Sequence, residues 1–279
     1  MLTYPLSGSS SELVLNVLTM VLTRGKPLDR AYSEHFSGLT LNPSEQARIT
    51  QVTGDILRRL NLYCFLVDIK PEEFDRLGSK LLNGWHVFHG LDLPKMQYSL
   101  QLEQAAFEAN LEQAKTDPVL WDGCPEWLNE LGQAQLGDKW PAERAALAEQ
   151  PKRYLRVNEL KCNRDALIER LKKEGVTAIE VSDVASAIEV TSDSALFRTD
   201  AFKDGWFEQQ DAGSQLVANA VDAKPGMRVV DACAGAGGKT LHIAAQMQGK
   251  GRLLAMDVEQ WKLDNLKTRA KRAGAHNVE

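Results

Sequence analysis

The chain has few cysteines, no long apolar run and no excess of positive charge. Its four cysteines, among 279 residues, lie far apart and form no Cys-x-x-Cys pair. This spacing argues against a disulfide framework or a zinc site and favours a reducing, cytoplasmic setting. No apolar stretch reaches the roughly 20 residues that a membrane-spanning helix needs, and the N-terminus lacks the pattern of a signal peptide. We therefore expect a cytoplasmic protein with no membrane partner and no metal.

The charge balance is slightly acidic. With 33 Lys and Arg against 38 Asp and Glu, the formal net charge is -5. Proteins that bind nucleic acids commonly carry an excess of basic residues to neutralise phosphates. The overall charge therefore gives no support to RNA binding, although a local basic face can lie on an acidic protein. A chain of this length, 43% hydrophobic, has enough material for two or three domains, and we expect a monomer.

The spacing of the apolar residues divides the chain into parts. Apolar residues recur at helical spacing near the N-terminus, as from Leu13 to Leu22, with no strand pattern between the segments. Short strand patterns begin only near Tyr154, and a segment such as 195–198 is one of them. The predicted parts are an all-helical domain (1–92), a helical linker region with a helix over 96–115 (93–151), a small α+β module (152–205), and a stretch of alternating strands and helices (206–279).

The most informative stretch is DACAGAGGKT, residues 231–240. Val229 and Val230 precede it and predict a short buried strand. The glycines of the stretch let the backbone turn sharply and let a ligand approach the main chain. A helix follows, and its N-terminal N–H groups face the turn. A second strand ends at Asp257, about 20 residues after the glycines, where similar folds hold a ribose hydroxyl with an acid.

Spacing separates the ligand classes that use such a turn. A Walker A phosphate loop needs a glycine where this chain has Cys233, and a dinucleotide fingerprint starting at Gly235 needs Gly or Ala where it has Thr240. An acid at the end of each strand, Asp231 and Asp257, fits a nucleoside ligand without a pyrophosphate. S-adenosylmethionine is such a ligand, and Lys239 is expected to pair with its carboxylate or with Asp231. A tight turn that binds no ligand is the alternative.

Residues 231–240 resemble the cofactor motif of the RNA cytosine-5 methyltransferases, the family of the bacterial rRNA small-subunit methyltransferase B (Fmu-like) and the eukaryotic NSUN proteins. Two upstream segments are similar as well, RVN at 156–158 and GWFEQQD at 205–211. The family usually has proline where this chain has Ala236, which makes the turn less rigid without altering its donors. The likeness is specific from about Tyr154 onward, and the helical front resembles the NusB-like domain of some members.

The resemblance implies an S-adenosylmethionine-dependent enzyme that forms 5-methylcytosine in RNA, with rRNA as the expected substrate. The family carries an RNA-contacting module where this chain has residues 152–205. From the residues alone, Arg156 and Asn158 fit an ordinary polar strand face equally well, and Gln210 and Asp211 fit a helix cap. The candidate substrate-binding residues are Arg156, Asn158, Gln210 and Asp211. The candidate cofactor-binding residues are Cys233, Ala234, Gly235, Ala236, Gly237, Gly238, Lys239 and Asp257.

The fold class that follows is α+β multidomain: an all-α NusB-like region, a small α+β module, and the first part of a Rossmann-like class I methyltransferase domain. A doubly wound sheet needs more parallel strands than are predicted here, and the family's nucleophilic cysteine comes from a later loop. We therefore expect no catalytic residue before Glu279 and interpret the chain as an inactive N-terminal part of a methyltransferase. One alternative is a non-catalytic RNA- or ribosome-binding module. The other is a dinucleotide-dependent oxidoreductase, and Thr240 argues against it.

Overall fold

Helices make up the first half of the chain. The computed structural model describes residues 6–39, 41–192 and 194–279, and the chain forms two units, Met1–Gln150 and Pro151–Glu279. Short 3-10 turns lie at Pro71–Glu73 and Gly137–Lys139. The α-helices of the first unit are α1 (Gly8–Leu22), α2 (Leu28–Phe36), α3 (Pro43–Arg58), α4 (Leu60–Leu66), α5 (Phe74–Phe88), α6 (Gln104–Thr116), α7 (Pro118–Trp121), α8 (Glu126–Leu136) and α9 (Trp140–Ala148).

Side-chain caps and one partly buried carboxylate define the helical unit. The Ser7 hydroxyl accepts a hydrogen bond from the Ser10 amide at the start of α1, which satisfies one of the donors that a helix N-terminus leaves open. In the core, the Asp55 carboxylate accepts bonds from the Tyr63 hydroxyl at 2.6 Å and the Trp85 indole at 2.8 Å. These contacts join α3, α4 and α5 around one apolar core.

The helix predicted over 96–115 is shorter than the sequence suggests, because α6 begins at Gln104. The segment before it is held in an extended form against α5. The Asn83 side chain donates to the Leu100 carbonyl at 2.8 Å and to the Ser99 hydroxyl at 2.7 Å. These contacts replace the helical bonds that this stretch would otherwise make.

The second unit begins with a small antiparallel sheet. Its strand order is β2-β3-β1-β4, and each neighbouring pair is antiparallel. Apolar side chains from the strands, such as Leu155, Ile188 and Phe207, are fully buried in one core. The elements of this sheet and its helices are β1 (Arg153–Val157), α10 (Arg164–Lys173), β2 (Ala178–Glu180), β3 (Ala187–Val190), α11 (Asp200–Lys203) and β4 (Phe207–Gln209).

Two details of this module differ from the sequence-based expectation. Residues 195–198 do not form a strand, since Leu196–Arg198 is a 3-10 helix. The strand β4 lies in the GWFEQQD segment, where no strand was expected, and it pairs with β1 so that Glu208 lies opposite Arg156. A three-residue strand has too little alternation to be recognised without the partner strand.

The remainder of the second unit alternates helices and parallel strands, as expected for the start of a Rossmann-like domain. β5 and β6 pair in parallel, with Asp231 opposite Ala255. Val278 makes a parallel bridge to Leu253 on the other side of β6. The elements are α12 (Ala212–Val221), β5 (Arg228–Asp231), α13 (Gly238–Gln246), β6 (Arg252–Ala255) and α14 (Gln260–Ala273).

The expectation that the strand before the turn is buried is wrong for one of its faces. Val230 is 60% exposed and Leu254 39% exposed, whereas Leu253 is fully buried. Successive side chains of a strand point to opposite faces of a sheet. The core formed with α13 and α14 contains Leu253 and Val229, so the helices cover one face of β5–β6 among the described residues.

Candidate functional site

The turn between β5 and α13 depends on glycine at two positions. Gly235 and Gly237 have φ values of +54° and +92°, in the left-handed region that other residues adopt with difficulty. A Cβ atom on Gly237 would also lie 2.1 Å from Cδ1 of Leu266 on α14. Gly237 is therefore required both by the backbone and by the packing of the helix behind the turn.

Asp257 joins the end of β6 to this turn. Its Oδ2 accepts a hydrogen bond from the Gly235 amide at 2.9 Å, and its Oδ1 accepts one from the Glu259 amide at 3.0 Å. These two backbone bonds, that of Glu259 first, lower the pKa of the Asp257 carboxyl. A carboxylate has about four lone-pair positions, so the charged group keeps acceptor capacity for a ligand.

Asp231, at the end of β5, holds the other side of the turn. Its Oδ2 accepts from the Thr240 hydroxyl at 2.7 Å, and its Oδ1 accepts from the Cys233 amide at 3.3 Å. Thr240 is fully buried and makes the contact with the Asp231 carboxylate that was expected of Lys239. The side chain of Lys239 is exposed. Of the two expectations for Lys239, the pairing with Asp231 is not formed, because the shorter Thr240 hydroxyl takes that place; the pairing with the carboxylate of the cofactor stays a prediction.

Four backbone amides of the predicted cofactor turn fall into two groups. Those of Ala234 and Gly237 bond to the carbonyls of Met256 and Ala234, each at 2.9 Å, and keep the turn folded. The amides of Gly238 and Lys239 belong to the first turn of α13, where an α-helix has no i−4 carbonyl to offer its donors. The helix N-terminus is therefore the part of the turn suited to an anionic group.

Arg156 and Asn158 lie inside the second unit and not on a polar strand face. Asn158 donates from its amide nitrogen to the Gly205 carbonyl at 2.7 Å and the Ala273 carbonyl at 2.8 Å. Arg156, 1% exposed, donates from Nη1 to the Gly238 carbonyl at 2.5 Å. Both side chains thus connect the strand β1 to main-chain groups near the turn and α14, and their contact with substrate stays a prediction.

Gln210 and Asp211 follow β4 and lead into α12. Gln210 Oε1 accepts the second bond from Arg156, at 2.5 Å, while its amide nitrogen donates to the Ser214 hydroxyl at 3.3 Å. The Asp211 carboxylate accepts from the Ser214 amide at 3.2 Å and caps α12. The capping interpretation of Asp211 is confirmed, and a role of either residue in binding substrate stays a prediction.

Sequence reasoning missed a charged cluster behind the turn. Glu208, 3% exposed, forms ion pairs with Arg269 at 2.9 Å and Arg272 at 2.5 Å. Arg269 Nη1 also donates to the Ala236 carbonyl at 2.7 Å. The GWFEQQD segment and the basic helix α14 were visible in the sequence, but nothing local indicated that they meet.

A surface depression of about 650 Å³ adjoins this cluster. It reaches the turn at Ala236 and runs between the end of β4 and α14, where Phe202 and Asn265 line it. Among the described residues, no group of three or more His, Cys, Asp or Glu side chains could hold a metal ion. No helix within the described ranges has the length and apolar character needed to cross a membrane.

Two parts of the chain match models of one protein family. Residues 124–196 match the ferredoxin-like domain of the RsmF/B-like methyltransferases. Residues 218–279 match the 16S rRNA methyltransferase RsmB/F model. The second match contains the turn and both strand-end acids described above.

Curated relatives and a solved structure agree with these matches. The ribosomal RNA small subunit methyltransferase B of Pseudomonas syringae is 32% identical over 167 residues, which are 60% of this chain and 37% of that protein. The probable counterpart from Bacillus subtilis is 37% identical over 124 residues, or 44% of this chain and 28% of that protein. The crystal structure of a methyltransferase homolog protein from Pyrococcus horikoshii is 29% identical, with a TM-score of 0.53 over 58% of this chain and 54% of the other.

The matched segments thus span about a third of the length of the curated relatives. The resemblance predicted from the turn at 231–240 is confirmed by both kinds of match. Residues 124–196 and 218–279 of this chain are thus similar to domains of the RsmB/F rRNA methyltransferases.

Proposed function

We propose that this chain supplies the cofactor-binding part of an S-adenosylmethionine-dependent rRNA methyltransferase that forms 5-methylcytosine. The observation that supports this most is the bond from the Gly235 amide to Asp257. It places a half-buried, charged acid, two residues beyond β6, beside the glycine turn that follows β5. The names of the curated relatives support rRNA as the substrate.

The residues of the turn fit this cofactor. A Cβ atom on Gly235 would meet nothing within 4 Å, so the space beside the turn is open to a ligand. In the proposal, Asp257 accepts bonds from the ribose hydroxyls, and the N-terminal amides of α13 face the carboxylate of the methionine part. The remaining residues of the stretch from Cys233 to Lys239 shape the main chain around the ligand.

None of the four cysteines is proposed as the nucleophile. Methylation at C5 of cytosine needs a thiolate that adds to C6, while the cofactor supplies the methyl group. Burial raises the pKa of Cys64 to about 12 and that of Cys162 to about 11, so both are thiols at neutral pH. Burial also raises the pKa of Cys124, and Cys233 lies within the cofactor turn. The nucleophile of the reaction would have to be a residue other than these.

The reaction is tested in the host cell. Deleting the gene that encodes this chain should remove a 5-methylcytosine from the small-subunit rRNA, as measured by nucleoside mass spectrometry and bisulfite sequencing. Restoring the parent gene should restore the modification. An rRNA methylation pattern that does not change, or the loss of a methylated amine instead, would contradict the proposal.

A further inference from the structure

Two arginines from different elements of the second unit converge on the main chain of the turn. Arg156 on β1 donates to the Gly238 carbonyl at 2.5 Å, and Arg269 on α14 donates to the Ala236 carbonyl at 2.7 Å. These carbonyls lie on either side of Gly237, the residue with φ of +92°. The peptide groups on both sides of this left-handed glycine are therefore held by guanidinium groups.

A buried carboxylate fixes the position of Arg269, and Gln210 fixes that of Arg156. Glu208 accepts from Nε and Nη2 of Arg269 through one oxygen, at 3.2 and 2.9 Å, and from Arg272 through the other. It is also the cross-strand partner of Arg156, so the two side chains lie on the same face of the sheet. The Arg272 guanidinium stacks 4.0 Å from the Phe202 ring centroid. Glu208 is thus the acid shared by Arg269 and Arg272, and it lies opposite Arg156 on the neighbouring strand.

These contacts orient the amides of the turn. A peptide group is planar and trans, so its carbonyl and its N–H point in opposite directions. Holding the Gly238 carbonyl therefore fixes the direction of the Lys239 N–H, and holding the Ala236 carbonyl fixes that of the Gly237 N–H. The Gly237 amide in turn bonds to the Ala234 carbonyl at 2.9 Å. The two arginines therefore act on one amide that keeps the turn folded, that of Gly237, and on one at the start of α13, that of Lys239.

The same arginines place positive charge at the start of α13. Burial lowers the pKa of Arg156 to about 10, which leaves the group charged at neutral pH. Burial, and after it the charge of Arg156, lowers the pKa of His242 to about 4. The field of Arg156 therefore reaches a residue one helical turn beyond the glycine stretch, and it adds to the attraction of the helix N-terminus for an anion.

We infer that Arg156 and Arg269 are positioning residues of the cofactor turn and that Glu208 sets the geometry of Arg269. The small antiparallel sheet then supports the cofactor site through β1 and β4, in addition to any contact that it makes with RNA. The inference rests on the proposed function only in naming the ligand of the turn. The effect of the two arginines on the stability of the turn can be measured without that ligand.

The test compares substitutions at Arg269 with a matched control. Arg269→Gln removes the charge and the fork of donors, while Arg269→Lys keeps the charge and can reach only one of its two acceptors. The control is Arg153→Lys, because Arg153 on the same strand as Arg156 donates to the Ser192 and Ser194 carbonyls, which are not part of the turn. Amide hydrogen exchange over residues 234–240 is measured in the ligand-free chain, and S-adenosylmethionine affinity is measured by calorimetry.

We expect Arg269→Gln to speed exchange of the turn amides about tenfold, as the loss of a charge-assisted hydrogen bond predicts. Arg269→Lys should give a smaller increase, and Glu208→Gln should resemble Arg269→Gln. In these variants the affinity for S-adenosylmethionine should fall by about the same factor. Arg153→Lys should leave both the turn exchange and the affinity at the parent values.

Two results would overturn the inference. One is a rate of amide hydrogen exchange over residues 234–240 that is the same in Arg269→Gln as in the parent, even if the unfolding temperature falls. The other is cofactor affinity that is equal in the parent, Arg269→Gln and Glu208→Gln. If the parent chain binds no S-adenosylmethionine, the proposed function fails, while the exchange data still decide whether the arginines brace the turn.

Discussion

The two sheets of the second unit depart in opposite ways from the rule that apolar side chains are buried and polar ones exposed. The antiparallel sheet of β1–β4 buries polar groups, with Arg156 1% exposed and Glu208 3% exposed. The parallel pair β5–β6 leaves apolar groups exposed, with Val230 at 60%. Arg156 and Glu208 are buried because each has partners of matching charge or polarity. Val230 is exposed because the packed helices lie on the other face of its strand.

This contrast shows that partners, and not the polarity of a residue alone, decide burial. An unpaired buried charge costs several kcal/mol, so the arginines around Glu208 are tolerated only as a set. The apolar face with Val230 and Leu254 has no such requirement, since an exposed apolar side chain carries no charge or polar group that needs a partner. The contrast also predicts that substitutions in the two sheets will have very different effects.

The largest expected effect is the loss of an aromatic side chain from the antiparallel sheet. Phe207 is fully buried on β4. Its replacement by alanine should lower the free energy of unfolding by about 3–5 kcal/mol. Val230→Ala on the exposed face should change it by no more than about 0.5 kcal/mol. Urea unfolding of both variants measures the difference. Equal losses would show that the contrast between the two sheets is wrong.

The next effect concerns the turn itself. Gly237→Val should lower the free energy of unfolding by about 2–4 kcal/mol, because valine resists positive φ and its Cβ would clash with Leu266. Gly238→Ala is the control, since a Cβ there meets nothing within 4 Å. It should leave the unfolding midpoint near that of the parent. A Gly237→Val chain as stable as the control would contradict the described packing of α14 behind the turn.

A smaller effect depends on pH. Burial and then Arg156 lower the pKa of His242 to about 4, from an ordinary value of 6.5. Between these values the unfolded chain binds a proton that the folded chain does not, so stability falls as the pH is lowered from 6.5 toward 4. The greatest slope is about 1.4 kcal/mol per pH unit.

His242→Gln is the variant that isolates this contribution from that of the carboxylates. Thermal unfolding of the variant and the parent should be compared at pH 7, 5.5 and 4. The parent should lose more stability than the variant over this range. Parallel pH profiles would mean that folding does not lower the pKa of His242.

The local order of elements around the turn could be predicted from the sequence, because each has a local signal. β-branched residues, glycines and a strand-end acid indicated β5, the turn and β6 in that order. The contacts of Arg156 could not be predicted in the same way. Its partners Gln210 and Gly238 are 54 and 82 positions away in the chain, and no periodicity links them. The same reason explains why Glu208 was missed and why Arg156 was considered for an exposed strand face.

We propose above that Asp257 and the glycine turn bind S-adenosylmethionine. Calorimetric titration of the cofactor into the parent chain, Asp257→Ala and the control Asp264→Ala tests it most directly. Asp264 is an exposed acid on α14 that pairs with Lys267, so its loss should leave binding unchanged. Asp257→Ala should weaken binding about ten- to a hundredfold, since it removes a charged acceptor for the ribose hydroxyls. A parent chain that ignores the cofactor at millimolar concentration, or an Asp257→Ala chain that binds it as tightly as the parent, would contradict the account.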